Sequence, residues 1–252
     1  MSGQNKTEIY LTKQELIKAL SSNTSSSKYD AKNARVRRSL NRGTFLKLRS
    51  GLYIRADAYI NEPNKTQLTE YTASKIYKPS YITGEYILGK YGMLLYAQGQ
   101  PAITSITTKT TRSFINQLGT FIYQNVRSPC YTKIKNIGIS EAVFSPEIHF
   151  DHSNSNLNNP ERTYHVATKA RALFDYLYLH ASLKLRNQKQ LKHQLMHELG
   201  IQWSSFTDRD FKEFDECVWK SNAKKMINIH AIIRDHLEES KPDAWLRNLL
   251  DV

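Results

Sequence analysis

One stretch constrains the fold more than any other: residues 30–55, where a helical pattern of side chains changes abruptly into a strand pattern. At about 100° per residue, Tyr29, Val36 and Leu40 fall on one side of a helix, and Ala31, Ala34 and Arg38 fall on the other. Asp30 is placed to cap the start of this helix and Gly43 to end it. The sequence therefore predicts a helix with an apolar back and a cationic front.

The residues after this helix alternate with a period of two, which is typical of a β-hairpin. Leu46, Leu48, Leu52 and Ile54 share one predicted face, and Lys47, Arg49, Tyr53 and Arg55 share the other, across a turn at Ser50 and Gly51. A basic helix followed by a basic hairpin is the pattern of a winged helix-turn-helix. Small alanines on the cationic face would let the helix approach a DNA groove, where arginines reach base edges or phosphates.

The alternative is a solvated charged helix packed on a hairpin, with no role in nucleic-acid binding. The distribution of charge argues against it. Residues 1–55 hold twelve Lys and Arg against Glu8, Glu15 and Asp30, a net charge of +9, so the remaining 197 residues carry +4 of the total +13. The positive charge is concentrated where the helix and hairpin are predicted.

Composition excludes several other classes of protein. With 252 residues, 40% of them apolar, the chain can bury a substantial core, and a pI of about 9.6 favours an anionic partner, nucleic acid before membrane. No apolar run approaches the roughly 20 residues that span a bilayer, and the N-terminal residues MSGQNKTEIY lack an apolar signal core. We expect a soluble, cytoplasmic protein in which Cys130 and Cys217 are two free buried thiols.

Periodicity predicts an α+β fold. Thr12 to Leu20 reads as a helix with Thr12 as N-cap and Glu15 completing a capping box. A polar loop at 21–27, a linker at 61–64 and helices near 66–77 and 83–91 follow, the last ended by Gly92. We predict a winged helix-turn-helix domain at 1–62 and a larger domain at 63–252.

The larger domain is expected to have a mainly antiparallel sheet at about 102–166 and helices at about 167–252. The sheet region would include an exposed loop at 152–160. The helical segments are predicted near 169–183, 190–199, 208–219, 226–237 and 244–250.

The candidate catalytic and metal-binding motifs are better explained as parts of ordinary helices and loops. The residues from Gly84 to Lys90 have the spacing of a phosphate-binding loop, but they lack its Ser or Thr and contain bulky side chains, with no strand predicted before them. His193 and His197 would share a helix face without a third ligand, and the same caution applies to His149 and His152 around Asp151.

The acidic run from 208 to 216 includes Lys212, and a metal-dependent nuclease combines carboxylates and a lysine in this way. However, Phe211, Phe214 and Val218 recur at helical spacing, which places the acids on the solvent side. Arg171 and Asp175, four residues apart, are predicted to form a helical salt bridge rather than a site. No catalytic residue, cofactor or metal ligand is predicted.

Several strings, taken in order, resemble the AbiEi-type antitoxins of bacterial abortive-infection, type IV toxin–antitoxin systems. They are FLKLRSGLYI, YKPSYITGEYILGKYGML, ITSITTKTTRSF, LGTFIYQNV and YHVATKARALFDYLYL, which cover most of residues 10–182. The resemblance implies a phage-defence antitoxin that also represses its own operon by binding inverted repeats in promoter DNA. It further implies cooperative binding to DNA, is compatible with a monomer in solution, and implies a nucleotidyltransferase-like toxin counteracted directly or through a shared target.

Carried onto this chain, the DNA-binding face comprises Arg35, Arg37, Arg38, Asn41, Arg42, Lys47, Arg49 and Arg55. Lys109 and Arg112, in TTKTTRSF, are a second candidate contact for nucleic acid or toxin. The alternative function is a stand-alone winged-helix transcriptional regulator, or an RNA-contacting defence factor without a toxin partner.

Overall fold

The structure is a computed structural model that describes residues 9–20, 29–94, 101–126, 128–144 and 162–239, apart from the side chain of Tyr29. The strands in these ranges are β1 (Tyr10–Thr12), β2 (Phe45–Arg49), β3 (Leu52–Arg55), β4 (Ser80–Ile82), β5 (Ile103–Thr107), β6 (Arg112–Asn116), β7 (Gly119–Asn125), β8 (Ile139–Val143) and β9 (Thr163–Ala167). The α-helices are α1 (Lys13–Leu20), α2 (Tyr29–Asn41), α3 (Ala56–Asn61), α4 (Lys65–Ile76), α5 (Glu85–Lys90), α6 (Pro129–Lys133), α7 (Lys169–Leu179), α8 (Gln188–His193), α9 (Asp208–Ser221) and α10 (Lys224–Glu239). A π-helical turn (Gln194–Glu198) continues α8, and a 3₁₀ turn (Trp203–Ser205) precedes α9.

A small antiparallel sheet with strand order β1-β3-β2 carries α1 and α2 on one face. The predicted capping box is confirmed, since the Thr12 amide donates to Glu15 Oε2 at 2.6 Å and the Glu15 amide donates to Thr12 Oγ1 at 3.3 Å. Gly43 ends α2 with a φ of +70°, a conformation that favours glycine. The predicted cap at Asp30 is wrong, because α2 already begins at Tyr29 and Asp30 lies within its first turn. Leu16, Val36 and Tyr53 are buried between these helices and the sheet.

The other face of the small sheet packs into the main core of the protein. Leu48 and Ile54 are buried there together with residues of α4 and the large sheet. Hydrogen bonds also connect the small sheet to the rest of the protein. The Tyr10 hydroxyl lies 2.6 Å from Thr72 Oγ1, and the Asn116 side-chain amide donates to the Leu48 carbonyl at 3.1 Å. The first 62 residues and the rest therefore share a core, and the domain division at residue 62 stays a prediction.

The segment predicted as a linker is ordered structure. α3 extends to Asn61, Glu62 is buried, and the Asn64 side chain caps α4 by accepting from the Gln67 amide at 3.0 Å. The sequence pattern missed α3 because six residues make fewer than two turns, which is too short to show an amphipathic repeat. The predicted loops at 21–27 and 152–160 and the helix at 244–250 lie outside the described residues.

The large sheet has six strands in the order β6-β7-β5-β4-β9-β8. As predicted, most of its pairings are antiparallel, three of five, but the sheet is mixed because β4–β9 and β5–β7 are parallel. Strand β4, with three residues, was too short to predict and lies near the centre. Tyr123 and Tyr164 hydrogen-bond to α4 on one face, and Tyr81 hydrogen-bonds to α7 on the other.

The C-terminal part is helical, as predicted. Phe214 and Val218 of α9 are fully buried, and Phe211 is partly buried against the same core. Cys130 and Cys217 are free thiols, but only Cys217 is buried, so the prediction of two buried thiols is wrong for Cys130. None of the helices in the described ranges is both long enough and apolar enough to cross a bilayer.

A buried histidine in α10 should make stability depend on pH. His230 stacks against Phe211 and Phe214, with Nε2 2.8 Å from Asp215 Oδ1. Burial lowers the pKa of His230 below its usual 6.5, although the Asp215 carboxylate acts in the opposite direction. The unfolded chain then binds more protons at mildly acidic pH, so the free energy of unfolding should fall as the pH drops through this range.

Urea unfolding midpoints at about pH 7.5 and pH 5.5 measure this dependence. Because other groups also titrate, the test is the difference between the wild type and His230→Gln, in which this position cannot be protonated. We expect a smaller loss of stability in the variant. Equal losses would show that His230 does not contribute.

Candidate nucleic-acid interface

Helix α2 presents the cationic front that its sequence predicts. Val36 and Ser39 are buried and Leu40 is partly buried against the small sheet, which turns the opposite side of the helix outward. Five of the eight predicted DNA contacts are exposed to solvent: Arg37, Arg38, Asn41, Arg42 and Lys47. The exposed cluster therefore comes from the last two turns of α2, from the residue that follows the helix, and from the middle of β2.

The other three predicted contacts are partly buried. Arg35 has intermediate exposure to solvent. Arg49 donates from Nε to the Ile76 carbonyl at 2.7 Å and from Nη1 to the Ser50 carbonyl at 2.9 Å. It therefore holds the hairpin turn against the end of α4.

Arg55 is held by a neighbouring carboxylate. Its Nε and Nη2 donate to the two oxygens of Asp57 at 3.0 and 2.5 Å. The hydrogen bonds to Arg55 keep the pKa of Asp57 below its usual range, so this carboxylate is charged at neutral pH. Arg49 and Arg55 are committed to contacts within the protein, which weakens their assignment as DNA contacts.

The face of the hairpin that was predicted to be basic is mostly internal. Tyr53 is buried against Leu16 and Val36, so it is not part of a solvent-facing surface. The pairing register also shifts between Lys47 and Arg49, which breaks the strict alternation of the strand. Sequence periodicity alone could not show either feature. The burial of Tyr53 depends on which face the helices cover, and the register shift depends on how β2 pairs with β3.

Lys109 and Arg112 lie in and after an exposed loop between β5 and β6. The Lys109 ammonium lies 5.5 Å from the centre of the Tyr77 ring, whose hydroxyl is 3.1 Å from Thr110 Oγ1. Tyr77 directly follows Ile76, the residue that accepts the Arg49 hydrogen bond. The structure thus brings the hairpin turn and this loop together at the end of α4.

The predicted salt bridge between Arg171 and Asp175 is confirmed, with Nε and Oδ1 3.0 Å apart, and both residues are fully buried. Burial raises the pKa of Asp175, while Arg171 and hydroxyl donors act to lower it. The carboxylate accepts from the hydroxyls of Tyr81 at 2.9 Å, Thr83 at 2.7 Å and Tyr131 at 2.9 Å. Both oxygens of the Asp175 carboxylate are therefore occupied by donors from the protein. The resulting cluster joins α7 to β4 and α6, which indicates a structural role.

The residues of the rejected motifs have structural partners. Asp210 pairs with Lys169 at 2.7 Å and caps α9 through Thr207, and Glu216 pairs with Lys220 at 2.6 Å. Among the described residues, no group of three or more His, Cys, Asp or Glu side chains is arranged to hold a metal ion. His193 and His197 are exposed, with ring centres 5.1 Å apart. His149, Asp151 and His152 lie outside the described residues.

One reason for rejecting the phosphate-binding loop was wrong, because β4 does precede Gly84. The segment itself still argues against a phosphate site. Residues Glu85–Lys90 form α5, and Tyr86, Ile87 and Leu88 are buried in the core. The backbone amides are therefore used inside a helix rather than arranged around a ligand.

A second cationic surface was missed by the sequence reasoning. Lys184, Arg186, Lys189 and Lys192 are all exposed. The signal was present in the sequence, since residues 181–197 contain four Lys and Arg and no Asp or Glu. It was overlooked because the net charge of the second half as a whole is small.

Comparisons of the chain with models of protein families, with curated proteins and with solved structures gave no match. The resemblance to AbiEi-type antitoxins therefore remains a prediction.

Proposed function

We propose that this protein is a non-enzymatic, sequence-specific DNA-binding regulator whose N-terminal part is a winged helix-turn-helix. The observation that carries the proposal is the exposed cluster on α2 formed by Arg37, Arg38, Asn41 and Arg42, opposite the buried Val36. The strand order β1-β3-β2, with two helices on one face, supports it. Helix α2 would enter the major groove, and the hairpin would lie along the backbone.

The exposed side chains of α2 and β2 differ in what they can recognise on DNA: some suit base edges and others suit phosphates. Arginine can bind guanine O6 and N7 with two hydrogen bonds, and asparagine can bind adenine in the same way. Arg38 and Asn41 are suited to base contacts because they face outward beside the small Ala34. Arg37, Arg42 and Lys47 would neutralise phosphates, and Lys109 with Arg112 would extend this contact if DNA reaches the end of α4.

Titration of the full-length protein with duplex DNA from upstream of its own gene tests this proposal. We expect Arg38→Ala to weaken binding by about 1–3 kcal/mol, or roughly 5- to 150-fold, if Arg38 reads a base. Arg37→Ala should instead reduce the slope of log affinity against log salt concentration by about 0.9. The matched control is Arg209→Ala, an exposed arginine on α9.

The control variant should bind like the wild type. If Arg37→Ala and Arg38→Ala also bind like the wild type at every salt concentration, α2 is not the DNA-binding element. If all three variants weaken binding equally, only the net charge of the protein matters, and the proposal of a specific interface fails.

We further propose that the protein is the antitoxin of a type IV pair and counteracts a nucleotidyltransferase-like toxin. What supports this is the resemblance described above. Because Leu48 and Ile54 belong to the main core, cutting the chain at residue 62 would expose apolar surface. Point variants of the full chain are therefore better probes than fragments.

The test is co-expression with the neighbouring gene, scoring growth and promoter repression separately. We expect Arg38→Ala to lose repression but still restore growth, because α2 would serve DNA binding alone. If the wild-type protein does not restore growth, the antitoxin role fails. Repression by the wild type in the same experiment would then favour a stand-alone regulator.

A further inference from the structure

A cavity of about 240 Å³ lies between α7 and the face of the large sheet that α7 covers. The residues that line it and matter for recognition are Thr104, Ile122, Gln124, Tyr176, Leu179 and His180. Ligand sites for drug-sized molecules usually have about 300–1,000 Å³. This cavity is smaller, so its size suits one ring system.

The walls of the cavity combine aromatic, apolar and amide groups. The rings of Tyr176 and His180 lie 5.3 Å apart, centre to centre. Burial and the nearby Glu85 carboxylate raise the pKa of Tyr176 to about 12, so its hydroxyl is neutral. Ile122 and Leu179 supply apolar contact, and the Gln124 amide offers both a donor and an acceptor. These are the groups that stack against and hydrogen-bond to a nucleobase.

The cationic surface formed by Lys184, Arg186, Lys189 and Lys192 begins four residues after His180. Within it, Lys192 is paired with Glu239 at 3.3 Å, so its charge is partly compensated. At about 3.3–3.6 Å per residue, the Cα atoms of His180 and Lys184 cannot be more than roughly 14 Å apart. The Lys225 ammonium donates to the carbonyls of Tyr178 at 2.9 Å and His180 at 2.7 Å, which fixes this end of α7. A cavity for a ring thus lies beside a run of positive charge.

From this juxtaposition we propose that the surface binds single-stranded nucleic acid, with one unstacked base in the cavity and backbone phosphates along Lys184–Lys192. A base held in duplex DNA is stacked and paired, so it cannot enter this cavity without being flipped out. The site is separate from α2. It would give the protein a second nucleic-acid ligand besides its duplex operator.

Two other partners fit the surface less well. An acidic protein would place a carboxylate near the cavity, whose lining already includes the Glu85 carboxylate, whereas a nucleobase is uncharged. A membrane surface would require apolar side chains among the cations. Leu185 is the one exposed large apolar residue between Lys184 and Lys192, with 36% of its surface accessible.

Fluorescence anisotropy with the full-length protein tests the proposal, using labelled 12-nucleotide homopolymers of RNA and of DNA and a 12-base-pair duplex. We expect Lys184→Ala/Arg186→Ala/Lys189→Ala to reduce the salt slope for single strands by about 2, since each phosphate contact contributes about 0.7. Lys189→Glu should weaken binding further than Lys189→Ala. Lys220→Ala, an exposed lysine on α9, is the matched control and should have no effect.

The cavity has its own readout. Gln124→Ala should reduce the difference in affinity between homopolymers without changing the salt slope, because it removes base recognition and no charge. The RNA and DNA arms show which of the two nucleic acids binds more tightly. Arg38→Ala should leave single-strand binding intact while impairing duplex binding, so failure of the α2 interface is distinguishable from failure of this one.

Several results would overturn the proposal. The first is that the wild type does not bind single strands. The second is that the triple variant and Lys189→Glu bind single strands as the wild type does. The third is that Arg38→Ala loses single-strand binding as much as it loses duplex binding. Tight binding of polyglutamate that competes with the homopolymers would reassign the surface to an acidic protein. A thermal unfolding midpoint for each variant ensures that a loss of binding reflects the surface rather than misfolding.

Discussion

Asp175→Ala is expected to lower the free energy of unfolding by about 3–5 kcal/mol, because it leaves a buried guanidinium without its counter-charge. Asp175 has no exposed surface and Arg171 has 1%. In the variant, Arg171 would keep its hydrogen bonds to the carbonyls of Ile134 at 2.5 Å and Ile137 at 3.0 Å. Those bonds orient the guanidinium but do not neutralise it. The hydroxyls of Thr83 and Tyr131 would also lose their acceptor.

Denaturant unfolding monitored by circular dichroism measures this loss. The informative companion is Arg171→Met/Asp175→Leu, which removes both charges together. Because the desolvation of a buried ion pair offsets much of its attraction, the double variant should be less damaging than Asp175→Ala alone. A cost below about 1 kcal/mol for Asp175→Ala would mean that water reaches the cluster and that it does not hold α7 to the sheet.

Gly138→Ala is expected to destabilise the fold by several kcal/mol. Gly138 has a φ of +64°, and a Cβ atom placed there would lie 2.6 Å from Arg171 Cβ and 2.8 Å from Thr168 Oγ1, and would also contact the Glu213 carboxylate. The backbone conformation costs a non-glycine residue about 1–2 kcal/mol. Overpacking in a filled region adds about 1–3 kcal/mol.

Gly43→Ala separates these two contributions. Gly43 has a similar φ of +70°, but nothing lies within 4 Å of the Cβ that alanine would add. It should therefore show the backbone cost alone, so the difference between the two variants measures the steric overlap at Gly138. Equal losses of stability in chemical denaturation would indicate that α7 and α9 shift easily to accommodate the methyl group.

Local sequence patterns predicted the start of α1 and the end of α2. The pairing of Thr12 with Glu15 and the ending of α2 at Gly43 follow from residues within four positions of each other, and both were predictable. The buried Val36 and the exposed Arg38 were predictable for the same reason, since helical periodicity relates neighbouring turns.

The exposed basic surface was predicted less completely than the helix that carries most of it. Nothing near Arg49 in sequence indicates that its guanidinium donates to the Ile76 carbonyl, 27 residues away. Tyr53 likewise alternates with apolar residues as a solvent-facing side chain would, yet α1 and α2 cover it. Sequence reasoning therefore identified a basic surface but included side chains that are held within the protein.

The amino-acid sequence by itself determined the amphipathic helices, the capping box of α1, the end of α2 at Gly43 and the concentration of positive charge near the N-terminus. Each of these depends on residues close together in the chain. The tertiary structure alone decided the order of the six strands, the central place of β4 and the burial of Arg171 with Asp175. Those features depend on which distant segments pack against one another. Such packing is set by the free energy of the whole core rather than by any local pattern.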